Sequence, residues 1–167
     1  MADLRILLKD KELKYTGLID VKGLYRLLFS FFEDNDFYFY ESRNEEQHFD
    51  DEKQILLKLE GNKKFAEFTR LVMEVEVYFT HLKEVFVEKE GKKVKMHQGT
   101  VLFKTDVVLM TDYFKTFEQN AFQFFLRTLM NKYVLKPYMD RHSKLCMKYY
   151  AGFEKRIKTF LNIEPSR

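Results

Sequence analysis

The chain of 167 residues has one cysteine, two prolines, six glycines and no tryptophan. A lone Cys146 excludes an internal disulfide and suits a reducing compartment. None of the six glycines falls in a G-x-G-x-x-G or phosphate-loop arrangement, so nucleotide binding by those routes has no support. There is no G-x-S-x-G elbow, and Ser30, Ser42, Ser143 and Ser166 lie near no obvious base. No apolar run approaches the ~18 residues of a membrane span. Met1 to Leu8 is too short and too charged for a secretory signal, so the expected location is cytoplasmic. Linkers of low complexity and repeats are also missing. The simplest organisation is one domain over residues 1–167, long enough to enclose a core.

What the chain does have is aromatic side chains, eighteen Phe and ten Tyr, and one long β pattern. From Thr69 to Val87 the odd positions include Leu71, Met73, Val75, Val77, Phe79, His81, Lys83 and Val85, while Glu74, Glu76, Glu84 and Glu88 sit at even ones. Alternation of this kind marks a strand with one buried face. Glu88 to Lys93 contains Gly91 and reads as a hairpin turn. On the returning stretch, Val94 to Asp112, the apolar residues begin at even numbers (Val94, Met96) and then switch to odd ones (Val101, Phe103, Val107, Leu109). A one-residue insertion at Gln98-Gly99 keeps both stretches facing one core. Pairing Val87 with Val94 and Val85 with Met96 then gives Phe79–Phe103, Val75–Val107 and Met73–Leu109 beyond the bulge. Upstream, Gln54–Leu59 and the stretch from Phe65 flank a second hairpin signal at Glu60-Gly61-Asn62-Lys63. Phe37 to Tyr40 reads as a short aromatic strand, and Leu4–Leu8 with Leu13–Ile19 as one or two more.

Asp20 is the expected N-cap of a helix to about Phe32, with Val21, Leu24, Tyr25, Leu28, Phe31 and Phe32 at helical spacing. From Tyr113 to Val134 the apolar residues cover more than one stripe, which predicts a helix buried on several sides. Pro137 is expected to kink or end it. Beyond the proline, Tyr138, His142, Leu145, Cys146, Tyr149, Phe153, Ile157 and Phe160 form one stripe of an amphipathic helix.

A strand, a helix, an antiparallel meander and a long C-terminal helix, spanning about Leu13 to Val134, resemble the helix-grip fold of the START / Bet v 1-like superfamily in element order. The resemblance implies an α+β domain in which a curved antiparallel sheet of six to seven strands wraps a long C-terminal helix. The core would then cover 13–136, with 137–167 as an additional amphipathic helix. It also implies an apolar cavity between sheet and helix. The expected wall is Met73, Val75, Val77, Phe79, Phe103, Val107, Phe117 and Phe124, with His81 and Lys83 as inward polar anchors. The function expected on this basis is non-catalytic binding of an apolar or amphipathic small molecule or lipid. Two alternatives stand beside it: a protein-interaction or dimerisation module that uses the C-terminal helix, and an enzyme with His81 or His97 as general base.

Metal-ligand patterns are poor. Asp34-Asn35-Asp36 opens like a calcium loop but lacks the glycine and the terminal glutamate, and reads as a helix stop. His48 with Asp50, Asp51 and Glu52 has the donor types for a metal but reads as a solvated loop. No cofactor and no metal are expected. The net charge of +3 conceals an asymmetry. Residues 33–52 hold nine acidic side chains against Arg43 alone, whereas residues 112–167 hold eleven basic against five acidic. A basic tail of this kind suits a solvated helix face or an anionic membrane or nucleic acid.

Overall fold

The computed structural model describes residues 3–67, 69–111 and 121–163, and only the backbone of Asp3, Ala121, Gln123, Phe124, Arg127, Met130 and Asn131. Five strands, β1 (Asp3–Ile19), β2 (Tyr38–Phe49), β3 (Glu52–Ala66), β4 (Thr69–Lys89) and β5 (Lys92–Thr111), form one antiparallel sheet in the order β1-β5-β4-β3-β2. Helix α1 (Val21–Asp34) joins β1 to β2. The C-terminal helical segment is α2 (Ala121–Met130), a π-helical turn (Asn131–Leu135) and α3 (Lys136–Phe160). The architecture is therefore α+β, an open antiparallel sheet with a C-terminal helix, and is compatible with a helix-grip arrangement.

The sheet has five strands among the described residues rather than six or seven, because Leu4–Leu8 and Leu13–Ile19 run on as one strand and the hairpin expected at Glu60–Lys63 does not form. Lys9-Asp10-Lys11 stays inside β1 as an irregularity in its pairing with β5. Asp106 of β5 fixes it, accepting hydrogen bonds from the Asp10 backbone N–H at 2.6 Å and from Lys9 Nζ at 2.7 Å. Glu60 to Lys63 likewise runs straight through β3, where Gly61 lies between Phe39 of β2 and Met73 of β4. The glycine is there because α1 presses on the sheet at that point: a Cβ on Gly61 would stand 2.3 Å from the Phe32 ring. A residue read as a turn signal is a site of close packing.

The β4–β5 register confirms a parity switch but moves it. Val87–Val94 and Val85–Met96 pair as expected; beyond the irregularity the partners are Phe79–Val101, Val77–Phe103 and Met73–Val107. The extra residue therefore lies in β4, where His81 and Leu82 together face Gly99, and His81 takes φ 55°. Strand β5 itself stays regular here, since its pairing with β1 is unbroken from Leu13–Phe103 to Ile19–His97. By strand alternation, Met96 and Val94 then face away from the core that holds Phe103. The shared core face expected for Val85 and Met96 is thus corrected.

Gly99 is buried at this point, and a Cβ on it would stand 2.8 Å from Leu82 Cδ2 and 2.9 Å from the Thr80 carbonyl oxygen. Gly99→Val should lower unfolding stability by about 1–3 kcal/mol in urea titration, because a backbone oxygen cannot retreat as a flexible side chain does. An unchanged midpoint would contradict this packing.

The core lies on one face of the sheet and is closed by α1 and by α3. Ile19, Leu24, Leu28, Phe31, Phe32, Leu57, Leu59, Met73, Val75, Val77, Phe103, Val107 and Leu109 form a single cluster with Cys146, Tyr150, Phe153, Ile157 and Leu161. Asp20 does cap α1, accepting from the Gly23 backbone N–H at 2.9 Å. Among the described residues, the C-terminal helix that joins this cluster is α3, which lies beyond residue 136. Pro137 stands at the start of α3, directly after the π-helical turn, with Leu135 before it in helical backbone geometry. The π-helical turn directly before it widens the spiral where a proline ring would otherwise meet the preceding turn, and the helix continues.

Two titrating groups lie on the buried face of α3. Burial pushes the Cys146 thiol up to about 12 from an ordinary 9.0, and the Tyr150 phenol up to about 12 from 10.0. Above those ordinary values the unfolded chain loses protons that the folded chain keeps, so stability falls as pH rises. The thermal midpoint should hold between pH 7 and pH 8.5 and decline steeply towards pH 11 on this account. Cys146→Ala should flatten the decline, and a midpoint flat to pH 11 would contradict the buried titration.

Candidate functional site

Three regions hold the residues that the sequence singles out. The first is the inner face of the sheet. Met73, Val75, Val77, Phe79, Phe103 and Val107 are brought together there as expected, on β4 and β5. All six are buried in the cluster with α1 and α3. Phe117 and the Phe124 side chain fall outside the described residues. Three clefts lie among the described residues. One of 480 Å³ is lined by Asp36, Tyr38, Lys64, Glu67, Arg70 and Met110 among others, at one end of the sheet. One of 380 Å³ runs between the end of α1 and α3, and one of 190 Å³ lies over β2, β3 and β4. Of the six described wall residues only Phe79 lines any of the three, the smallest.

The second region is the bulge. The extra residue turns His81 outward, its side chain 70% exposed, and gives the core position to Leu82. His81 Nδ1 lies 2.7 Å from Glu52 Oε2, and Lys83 Nζ lies 3.2 Å from Glu52 Oε1. Hydrogen bonds from His81 and Lys83 hold the Glu52 carboxyl below its usual range. The expectation of His81 and Lys83 as inward anchors is corrected: both reach outward to one carboxylate across the strand pair. His97 faces inward beside Ile19, and burial lowers its pKa from the ordinary imidazole value. A general base needs an acceptor position beside a cavity that holds substrate. Among the described residues, His97 is not part of the lining of these three clefts. His48 binds Glu46 at 2.8 Å, while Glu52 is taken by His81. Among the described residues no three His, Cys, Asp or Glu side chains gather to hold a metal ion. The outer face of the sheet is a lattice of compensated charge, with Lys58 3.1 Å from Glu74 and 3.0 Å from Glu76, and Tyr78 donating to Glu76 at 2.7 Å.

The third region is the helical segment 121–135. The apolar pattern from Tyr113 to Val134 predicts a helix buried on several sides, which would put Phe122, Phe125 and Leu129 against the sheet. They stand in solvent instead, with Phe122 70%, Phe125 60% and Tyr133 66% exposed, and Leu126, Leu129 and Val134 exposed beside them. Phe122, Leu126, Leu129 and Tyr133 share one side of the helix by their spacing. A row of large apolar side chains in water is unusual on a folded chain and marks a surface made to be covered. The signal was in the sequence as an apolar helix, but apolarity alone does not say whether a helix is covered by its own sheet or by something else. No protein-family model, no curated protein and no solved structure matches the chain.

Proposed function

We propose that this chain is a non-catalytic binding module and that its binding element is the exposed apolar side of α2 and the π-helical turn. The observation that carries the reading is the exposure of Phe122, Phe125 and Tyr133 on a helix that continues directly into the core helix α3. The module would be a reduced helix-grip of the START / Bet v 1-like kind, supported by its order of strand, helix, meander and helix. A cytoplasmic location belongs to the same proposal and is supported by a buried, reduced Cys146. The rival reading, an apolar ligand between sheet and helix, would have to place that ligand among the buried side chains of the sheet's inner face.

The test is a triple substitution, Phe122→Gln, Leu126→Gln and Leu129→Gln, which keeps helix-forming residues in place. The variant should keep its thermal midpoint within about 2 °C of the parent, since solvent-facing changes cost little. It should also lose the fluorescence of an apolar dye. A fall of more than about 10 °C, the scale of several core truncations, would show that this side belongs to the fold and would end the proposal.

A further inference from the structure

The solvent side of the C-terminal helix has two parts of different chemistry. Positions 122, 126, 129, 133, 137, 141, 144, 148, 152, 155 and 159 recur every three or four residues, and every one of them is exposed. They trace one stripe along the whole helix, across the π-helical turn. Its first part carries Phe122, Leu126, Leu129 and Tyr133; its second carries Arg141, Lys144, Lys148 and Lys155. The fold does not neutralise the basic part. Segment 121–163 has two acidic residues, and both are engaged: Asp140 binds Arg5 at 2.8 Å and Glu154 binds Lys158 at 3.3 Å. Arg141, Lys144, Lys148 and Lys155 have no carboxylate partner among the described residues.

We infer that this stripe docks the protein on the surface of an anionic phospholipid bilayer, an inference that rests on the helix side being the binding surface as argued above. Phe122, Leu126 and Leu129 bury among the acyl chains just below the headgroups, while the basic part lies over the phosphates. Apolar insertion and attraction to anionic lipid together set the strength of such interfacial helices. Among the described residues no helix is long and apolar enough to cross a membrane, which fits a helix lying on the surface. A second copy meeting this stripe through the same stripe fits less well. Parallel pairing would stack basic on basic, and antiparallel pairing would lay apolar on basic. A nucleic acid would use the basic part but leave Leu126 and Leu129, which cannot stack on bases as an aromatic ring does, in water.

The experiment is co-sedimentation of the full chain with vesicles of phosphatidylcholine alone and of phosphatidylcholine mixed with phosphatidylserine, at low and high salt. Binding should favour the mixed vesicles and weaken with salt. Lys144→Glu with Lys148→Glu should weaken binding to mixed vesicles on the order of tenfold or more, since each basic residue near an anionic leaflet is worth about fivefold. The Phe122, Leu126 and Leu129 triple variant should lose binding to both vesicle types. Lys92→Glu with Lys93→Glu, at the exposed start of β5, should change little and serves as the charge control. Equal binding to both vesicle types, or an equal loss in the control, would overturn the assignment of the charged part. Absence of vesicle binding would overturn the inference, and capture of a single-stranded RNA oligonucleotide in its place would redirect it. If the triple variant keeps its thermal midpoint and vesicles are not bound, the lipid inference alone falls. If the midpoint collapses, the binding-surface reading falls with it.

Discussion

Truncating the chain after Lys136 should abolish folding. Helix α3 buries Cys146, Tyr150, Phe153 and Ile157, with Leu161 just beyond it, in the same cluster as the inner face of the sheet. Each large apolar side chain is worth roughly 1.5–3 kcal/mol on burial, so removing the group forfeits on the order of 10 kcal/mol. That is comparable with the ~5–15 kcal/mol by which a native domain is stable at all. The sheet would also present Val75, Val77 and Phe103 to water. Circular dichroism and urea titration of residues 1–136 should show no cooperative transition. A boundary at Pro137, as the sequence suggests, leads to the opposite result: a folded fragment with a sigmoidal unfolding curve.

Phe32→Ala should be among the costliest single substitutions. Phe32 is fully buried at the C-terminal end of α1. Its ring stands 5.4 Å from that of Phe37, 5.3 Å from Phe39 and 6.3 Å from Phe153, so it joins α1 to β2 and to α3 at once. It also rests on the bare backbone at Gly61. Removing it should cost about 3–5 kcal/mol, the range for a large aromatic in a site that cannot collapse. In urea the midpoint should fall with an unchanged slope. A loss under about 1 kcal/mol would mean that the cluster is not packed as described.

The long strands were legible because sustained alternation of apolar and polar residues fits little besides a strand with one buried face. The N-cap at Asp20 and the turn around Gly91 were legible because their signals are equally local. The bulge shows where such reading stops. A parity switch between neighbouring strands looks the same whether the extra residue sits in β4 or in β5. The pairing itself decides: His81 and Leu82 stand against Gly99 alone, and β1 pairs without interruption past Gly99 in agreement. Gly61 was misread because a glycine admitted for close approach of α1 carries no different letter from a glycine in a turn. The candidate site suffered most. The segment 121–134 and the segment 145–160 are both apolar enough to be core, and the sequence ranks the first above the second. Which of them the sheet covers depends on a helix running on through Pro137, and that continuity is set by the π-helical turn rather than by any residue pattern.

Amide hydrogen exchange along residues 121–161 tests the central claim, that one continuous helix is core at its far end and binding surface at its near end. In the free protein, amides of Cys146, Tyr150, Phe153 and Ile157 should exchange only through global unfolding, and those of 122–134 should exchange far faster through local opening. Protection of 122–134 equal to that of α3 would contradict the account.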